Sequence, residues 1–146
     1  MYLDRIPGLS EHFVYSNDDM MLSRPLILGD FFDAQGKPIV WMSNAGADKM
    51  TSTRANSILN DDSINIWQKT QIRAWELYCG KAGRQNPFFT PAHAMDAYPI
   101  SMFREVLFRF FELLRFNASP FRTGGEISRV LFSYVMANEW GGAVSF

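Results

Sequence analysis

The pattern of hydrophobic and polar positions predicts short extended segments in the first third of the chain. An apolar run from His12 to Ser16 ends in three polar residues, which is typical of a strand followed by a turn. We expect this strand to be buried in a sheet. Two further extended segments are predicted at Leu26 to Leu28 and at Ile39 to Met42. The Asp, Gly and Pro residues between them, within 31–38, indicate a turn.

Helical spacing of apolar residues begins in the middle of the chain. The stretch from Arg54 to Leu59 is compatible with a short helix. Asp61 to Ser63 predicts the start of a longer one, because acidic and hydroxyl side chains accept hydrogen bonds from first-turn amides. Apolar residues then recur at helical spacing until Gly80 and Gly83, which predict its end.

The last part of the chain alternates between predicted loops and helices. Gln85 to Tyr98 contains prolines and is predicted as a loop, and Pro99 then opens a helix that runs to about Phe116. After a loop over 117–125, a mostly apolar helix is predicted from Glu126 to Asn138. This order of elements predicts an α/β or α+β fold with few strands.

Composition narrows the class of protein. A chain of 146 residues with 47% hydrophobic residues suits one domain, 1–146, with a packed core. A formal net charge of -1 gives no indication of nucleic-acid binding. No apolar run approaches the length of a membrane span, and the first ten residues do not resemble a signal peptide. The single cysteine excludes an internal disulfide and fits a cytoplasmic setting.

The strongest candidate for chemistry is the polar group that follows the first predicted strand. Asp18 and Asp19 are adjacent carboxylates, which suit Mg²⁺ or Mn²⁺ because hard cations prefer oxygen ligands. In open α/β sheets, ligands bind beyond the carboxyl ends of strands. The alternative is an ordinary turn, since Asn and Asp are common turn residues.

Two further residues have suitable chemistry in predicted loops. His93 is a candidate general base, and Arg122 is a candidate phosphate ligand through its bidentate guanidinium group. The alternatives are a histidine that only forms hydrogen bonds and a solvated arginine. Trp67 and Trp75 are expected in the core rather than as a sugar platform. Asp30 and Asp33 are expected to stabilise the turn, and a solvated face is expected for Glu105, Arg109 and Glu112.

Two stretches closely resemble conserved regions of the Stealth family of sugar-phosphate transferases, enzymes of bacterial capsules and of lysosomal-enzyme tagging. The first stretch, within 5–42, runs without a gap from Arg5 to Met20 and includes the Asn-Asp-Asp triplet, a later Arg-Pro step and Asp-Phe-Phe. It resembles the family's second region. The stretch over 90–142, with His93 and Arg122 at matching offsets, resembles the third, and 54–60 resembles the linking helix.

The chain departs from the family pattern in three places. Ser23 stands where the family usually has Gly. The first conserved region would precede Met1, and the fourth would follow Phe146. We therefore expect a piece of a longer domain that is poorly active alone and exposes an unpaired sheet edge or an apolar patch.

The resemblance implies a partial Rossmann-like, glycosyltransferase-A-like sheet with a helix-rich C-terminal part. It also implies transfer of a sugar 1-phosphate from a UDP-sugar to a hydroxyl of an oligo- or polysaccharide, assisted by Mg²⁺ or Mn²⁺. The implied catalytic residues are Asp18, Asp19, His93 and Arg122, with Asp18 and Asp19 as metal ligands and with Asn17 and Arg24 as substrate-binding residues. Association with the inner face of the membrane and homo-oligomers stay open.

Two alternatives to an active enzyme are kept. One is a catalytically inactive chain that binds a sugar or a protein partner, and the other is an unrelated helical adaptor. Release of UMP from a UDP-sugar separates an enzyme from both, and a strand that ends at the Asp pair is not expected of an adaptor.

Overall fold

The computed structural model describes residues 3–43, 50–83, 87–112 and 126–145. These residues form four α-helices, two single helical turns and two small sheets of two strands each. The helices are α1 (Ser52–Asn60), α2 (Ile66–Ala82), α3 (Ile100–Arg109) and α4 (Val130–Glu139). The strands are β1 (His12–Tyr15), β2 (Ile39–Trp41), β3 (Asp96–Pro99) and β4 (Ala143–Ser145). The α/β class is confirmed, and the Rossmann-like sheet stays a prediction.

The first sheet pairs β1 with β3 in antiparallel orientation, from His12 opposite Pro99 to Tyr15 opposite Asp96. The prediction of a strand at β1 is confirmed, but the prediction that it is buried is wrong. Side chains alternate across a strand, so only Phe13 and Tyr15 pack against the core, while Val14 is 43% exposed. The segment 85–98 was predicted as a loop, and its end instead forms β3, which is buried along its length.

The second sheet pairs β2 with β4 in parallel orientation. The strand prediction at Ile39 is confirmed, whereas β4 was not predicted. The extended segment predicted at Leu26 to Leu28 is right only in part: Ile27 has extended backbone angles (φ -124°, ψ 163°), but a single helical turn, Leu28–Asp30, begins at its last residue. The turn over 31–38 is confirmed: the Asp33 carboxylate accepts hydrogen bonds from the amides of Gln35 and Lys37.

Helix α1 confirms the short helix, but α2 begins later than predicted. Asp61 accepts hydrogen bonds from the amide and hydroxyl of Ser63, which stabilises a turn, and the cap of α2 is Asn65, whose side chain accepts from the Trp67 amide. The end is as predicted, since Gly83 takes the left-handed conformation (φ 65°) that terminates a helix at low steric cost.

Helix α3 begins as predicted and is joined to β1 by Glu11. The Glu11 carboxylate accepts hydrogen bonds from the Ser101 hydroxyl and amide, and the Ile100 amide donates to the Glu11 carbonyl. Helix α3 ends at Arg109 with Phe110 as its cap, so the prediction of one helix that runs on to about Phe116 is wrong. Residues 113 to 125 lie outside the described part of the chain. Helix α4 begins at Val130, later than the predicted Glu126, and ends one residue after the predicted Asn138.

An aromatic core lies between the helices. Rings of α3 and α4 stack at Phe103 and Phe132 (4.3 Å between centroids), and rings of α2 and α4 stack at Tyr78 and Tyr134 (5.5 Å). Trp75 is 1% exposed, which confirms its prediction as a core residue. The largest side chains with almost no exposure are Trp75, Tyr78, Tyr134, Phe103, Phe110 and Phe132.

The predicted solvated face carries ion pairs that join helices. Arg109 on α3 contacts Glu105 one turn away and also Glu139 at the end of α4, with its Nη1 3.1 Å and 2.5 Å from the two carboxylates. Glu112 lies 3.0 Å from Lys81 of α2. These charged side chains therefore link helices as well as face water.

Several apolar side chains are exposed, and the expected unpaired sheet edge or apolar patch stays a prediction. Met21 is 97% exposed, Leu28 79% and Phe108 86%. No helix among the described residues is long and apolar enough to cross a membrane.

Candidate functional site

The antiparallel register of the first sheet determines which residues meet at the site. Tyr15 is the last residue of β1 and lies opposite Asp96, the first residue of β3. Beyond this pair the two chain segments continue side by side, so that the residues after β1 run alongside those before β3. The Asn-Asp-Asp triplet at 17–19 therefore lies beside the loop that contains His93.

That loop is also held from its other side, at the end of β2. The Ala92 amide donates to the Trp41 carbonyl (2.8 Å), and the Ser43 amide donates to the Thr90 carbonyl (3.0 Å). Backbone hydrogen bonds on one side and the start of β3 on the other thus fix the position of His93, although its side chain is 64% exposed.

His93, Asn17 and Asp19 form a contiguous polar cluster. The Nε2 atom of His93 lies 3.2 Å from Nδ2 of Asn17 and 3.5 Å from Oδ2 of Asp19. In the neutral ring with its hydrogen on Nδ1, Nε2 accepts a hydrogen bond from the Asn17 amide. In the protonated ring, the same Nε2–H faces the Asp19 carboxylate. The cluster can thus interact with both protonation states of the imidazole.

Three concave regions meet at this cluster. The first cleft, of about 440 Å³, lies between the His93 loop and the segment 19–31, and Asp19, Arg24, Asp30 and Trp41 line it with His93. The second cleft, of about 480 Å³, faces the start of α2. Asn17, Asp19, Trp67, His93 and Arg129 are among its lining residues. A third depression, of about 410 Å³, shares Asn17, Asp19, Trp67 and Arg129 with the second cleft and reaches Asp18. Asp19 lines all three regions.

Arg24 lines the first cleft and is held by Asp30. Its guanidinium group makes two parallel hydrogen bonds to the Asp30 carboxylate, of 2.9 and 2.5 Å. Asp30 also accepts from the Ile27 amide (2.8 Å). The hydrogen bonds from Arg24 and Ile27 lower the pKa of Asp30, and those to Asp30 raise the pKa of Arg24. Arg24 is therefore oriented at the cleft with part of its hydrogen-bonding capacity already used.

Arg129, at the start of α4, was not identified from the sequence. Its guanidinium group forms an ion pair with Asp96 of β3, and it lies over the ring of Tyr15, 5.4 Å from the centroid. Burial lowers the pKa of Arg129. The signal for this residue is a lone cation at the beginning of an otherwise apolar helix, which is costly to bury without a partner.

The prediction that Trp67 lies in the core is wrong. Its side chain is 40% exposed and lines the second cleft and the third depression. The reason is its position near the first residue of α2, where the helix extends past the core that buries Trp75.

The predicted site residues that the structure describes lie in three places. The structure brings Asn17, Asp19 and His93 together, with Arg24 in the adjoining first cleft and Asp18 in the third depression. Arg122 lies outside the described residues. Those residues contain no group of three or more His, Cys, Asp or Glu side chains placed to hold a metal ion.

Many families of α/β proteins have an exposed histidine, a carboxylate and an amide where clefts meet. The geometry of the site therefore does not identify the family, and sequence comparison adds that information. The chain is 39% identical over 72 residues to the capsular polysaccharide phosphotransferase LcbA of Aeromonas hydrophila, covering 42% of this chain and 20% of that protein. It is 58% identical over 36 residues to the capsular polysaccharide phosphotransferase WcwK of Streptococcus pneumoniae (25% and 11%). It is 64% identical over 33 residues to the exopolysaccharide phosphotransferase cps2G of Lactiplantibacillus plantarum (23% and 10%).

These similarities confirm the resemblance to the Stealth-type polysaccharide phosphotransferases over part of the chain. The matched segments span between 10% and 20% of the length of these three relatives. No protein-family model matches the chain.

Proposed function

We propose that this chain contributes the acid–base part of an active site that transfers a sugar 1-phosphate from a UDP-sugar to a sugar hydroxyl. The product is a phosphodiester of a capsular or exopolysaccharide, and the leaving group is UMP. One observation carries the proposal: the Asn17–Asp19–His93 cluster lies where two clefts meet, in a chain similar to polysaccharide phosphotransferases.

The chemistry assigns each member of the cluster a task. His93 Nε2 takes the proton of the acceptor hydroxyl as that oxygen bonds to the phosphorus that carries the donor sugar. The bond from this phosphorus to the oxygen bridging to the nucleotide phosphate breaks, and UMP leaves with the electron pair. Asn17 holds the neutral imidazole through Nε2 until the acceptor hydroxyl replaces it there. Asp19, 3.5 Å away, attracts the imidazolium that forms.

The two carboxylates of the triplet suit a divalent cation. Asp18 and Asp19 are both exposed and line the same depression, and Mg²⁺ in phosphate sites commonly takes one or two carboxylates together with water and substrate oxygens. Asp18 and Asp19 would hold Mg²⁺ or Mn²⁺, which when bound would neutralise charge on the diphosphate.

Arg24 and Arg129 line different clefts. Arg24 faces the first cleft, with Asp30 fixing its orientation, and we assign it to substrate binding. Arg129 faces the second cleft beside Asp19. The same proposal keeps Arg122 as a phosphate ligand and a Rossmann-like sheet for the complete nucleotide site. The same proposal keeps the reaction on the cytoplasmic side of the membrane.

Release of UMP tests the proposal. The purified protein is incubated with a panel of UDP-hexoses and UDP-N-acetylhexosamines, capsular oligosaccharides as acceptors, and either Mg²⁺ or Mn²⁺. We expect UMP and a phosphodiester-linked product in equal amounts, formed slowly by this chain alone. Release of UDP instead of UMP would show glycosyl transfer and would overturn the proposal. Sugar binding with no UMP release would favour the inactive binding module.

A further inference from the structure

Helix α2 carries two tryptophans in opposite environments. Trp75 is 1% exposed and packs in the aromatic core, while Trp67 is 40% exposed at the start of the helix. An exposed indole forgoes much of the free energy that burial would give it. An aromatic side chain in the wall of a concave surface is stronger evidence of a binding site than one on a convex surface, because ligand pockets are lined by hydrophobic and aromatic side chains.

The surroundings of Trp67 combine an apolar surface with hydrogen-bonding groups. In the second cleft it shares the wall with Asn17, Asp19, His93 and Arg129, and in the third depression with Asp18. An amide, carboxylates and a guanidinium group thus line the same concave regions as the indole and offer both acceptors and donors. A pyranose ring has the matching distribution, with C–H groups on its less polar faces and hydroxyls around its edge.

We propose that Trp67 is a stacking platform for a pyranose ring, with Asn17 and Asp19 binding hydroxyls at its edge. The electron-rich face of the indole attracts the C–H groups of the sugar and removes apolar surface from water. The platform and His93 line one cleft, so a stacked sugar lies beside the group that handles the proton. This subsite rests on the proposed function, and it serves the donor sugar or the acceptor sugar.

The test uses three variants of the same helix start. Trp67→Ala removes the platform, Trp67→Phe keeps an aromatic face, and Ile66→Ala is the matched control, because Ile66 is 44% exposed but lines none of the three regions. Calorimetric titrations with UDP-N-acetylglucosamine and with UDP measure the contribution of the donor sugar. Saturation-transfer NMR with methyl pyranosides detects a free sugar on the protein. Thermal melting checks that each variant is folded.

For a donor subsite, we expect Trp67→Ala to weaken UDP-N-acetylglucosamine at least tenfold with UDP unchanged. For an acceptor subsite, we expect it to abolish saturation transfer from methyl pyranosides with both nucleotides unchanged. In either case Trp67→Phe stays within about threefold of wild type and Ile66→Ala matches it. Equal sugar binding by Trp67→Ala and wild type, or no sugar binding by wild type, overturns the subsite.

The outcomes separate this inference from the proposed function. Trp67-dependent sugar binding without any UMP release would retain the platform and refute the transfer reaction. UMP release that is unchanged in Trp67→Ala, together with unchanged sugar binding, would retain the reaction and refute the platform.

Discussion

The side-chain amide of Asn17 lies 3.2 Å from Nε2 of His93, although 76 positions separate the two residues in the chain. The contact exists because β1 and β3 pair in antiparallel orientation and end together at Tyr15 and Asp96. The same pairing brings Asp19 to the imidazole. The proximity of the polar triplet at 17–19 to His93 thus results from the pairing of two strands. Substitutions of these side chains should therefore affect chemistry more than folding.

We expect His93→Gln to lower UMP release by about 10² to 10⁴-fold, because glutamine keeps a polar side chain but cannot accept the hydroxyl proton. The His93 side chain is 64% exposed, so the melting temperature should change little. Initial rates of UMP release and thermal melts measure the two effects.

The other histidine provides a matched control for this variant. His12 lies on β1 with its ring against Phe32 and lines none of the three regions, so His12→Gln should keep the wild-type rate. A His93→Gln protein with the wild-type rate, or one that no longer melts cooperatively, would contradict the assigned role.

The carboxylate of Asp19 should control metal dependence. We expect Asp19→Asn to raise the Mg²⁺ concentration for half-maximal UMP release by at least about tenfold, because a neutral amide is a weaker ligand for a hard cation. Asp62→Asn is the control, since its carboxylate is fully exposed and lines none of the three regions. Identical Mg²⁺ titrations for Asp19→Asn and wild type would refute metal binding at Asp19.

The sequence predicted what depends on local pattern and missed what depends on pairing between distant segments. The strand at His12, the helix ending at Gly83 and the turn at Asp33 follow from neighbouring residues, and the structure confirms them. Strand β3 lies in a proline-containing stretch with a loop-like composition, and it is a strand because β1 hydrogen-bonds to it. β4 was missed for the same reason, since it forms against β2.

The candidate site shows the same division. Asn17, Asp19 and His93 were singled out by residue type and by resemblance, and their contacts follow from a pairing that no local pattern reveals. Trp67 has the same helical spacing as a core residue, and only the position of the core relative to the start of α2 decides its exposure. The position of Arg129 depends on its ion pair with Asp96 of β3, which no local sequence pattern reveals.

The Arg24–Asp30 pair should make stability depend on pH in the acidic range. The folded-state pKa of Asp30 is lowered, so the unfolded chain binds the proton more readily. The stabilisation is therefore complete above the unfolded value of about 3.9 and is lost as the pH falls through the folded value. Melting temperatures between pH 6 and pH 2 should fall less steeply for Asp30→Asn than for wild type. Parallel curves would show that the pair contributes nothing to folding.

Substitutions of the two tryptophans of α2 should differ in their effect on the free energy of unfolding, because one side chain lies in the core and the other in the wall of a cleft. We expect Trp75→Ala to lower the free energy of unfolding by about 3–5 kcal/mol, because it leaves a cavity in the aromatic core. Trp67→Ala should cost about 1 kcal/mol or less, since the side chain is 40% exposed. Urea unfolding measures both. A loss of similar size at the two positions would mean that Trp67 is also a core residue.

Removing one member of the Arg129–Asp96 ion pair should destabilise the protein, because the other member keeps its charge without this partner. Asp96 is 5% exposed, and Arg129→Met would leave its carboxylate without this partner, at a cost of about 3–5 kcal/mol. Asp96→Asn should leave the guanidinium group similarly unpaired. The double variant Asp96→Asn/Arg129→Met removes both charges, and we expect it to be more stable than Arg129→Met alone. Urea unfolding of the four proteins gives the coupling free energy. Additive losses would show that the two side chains act independently and that Arg129 is held at the second cleft by other contacts.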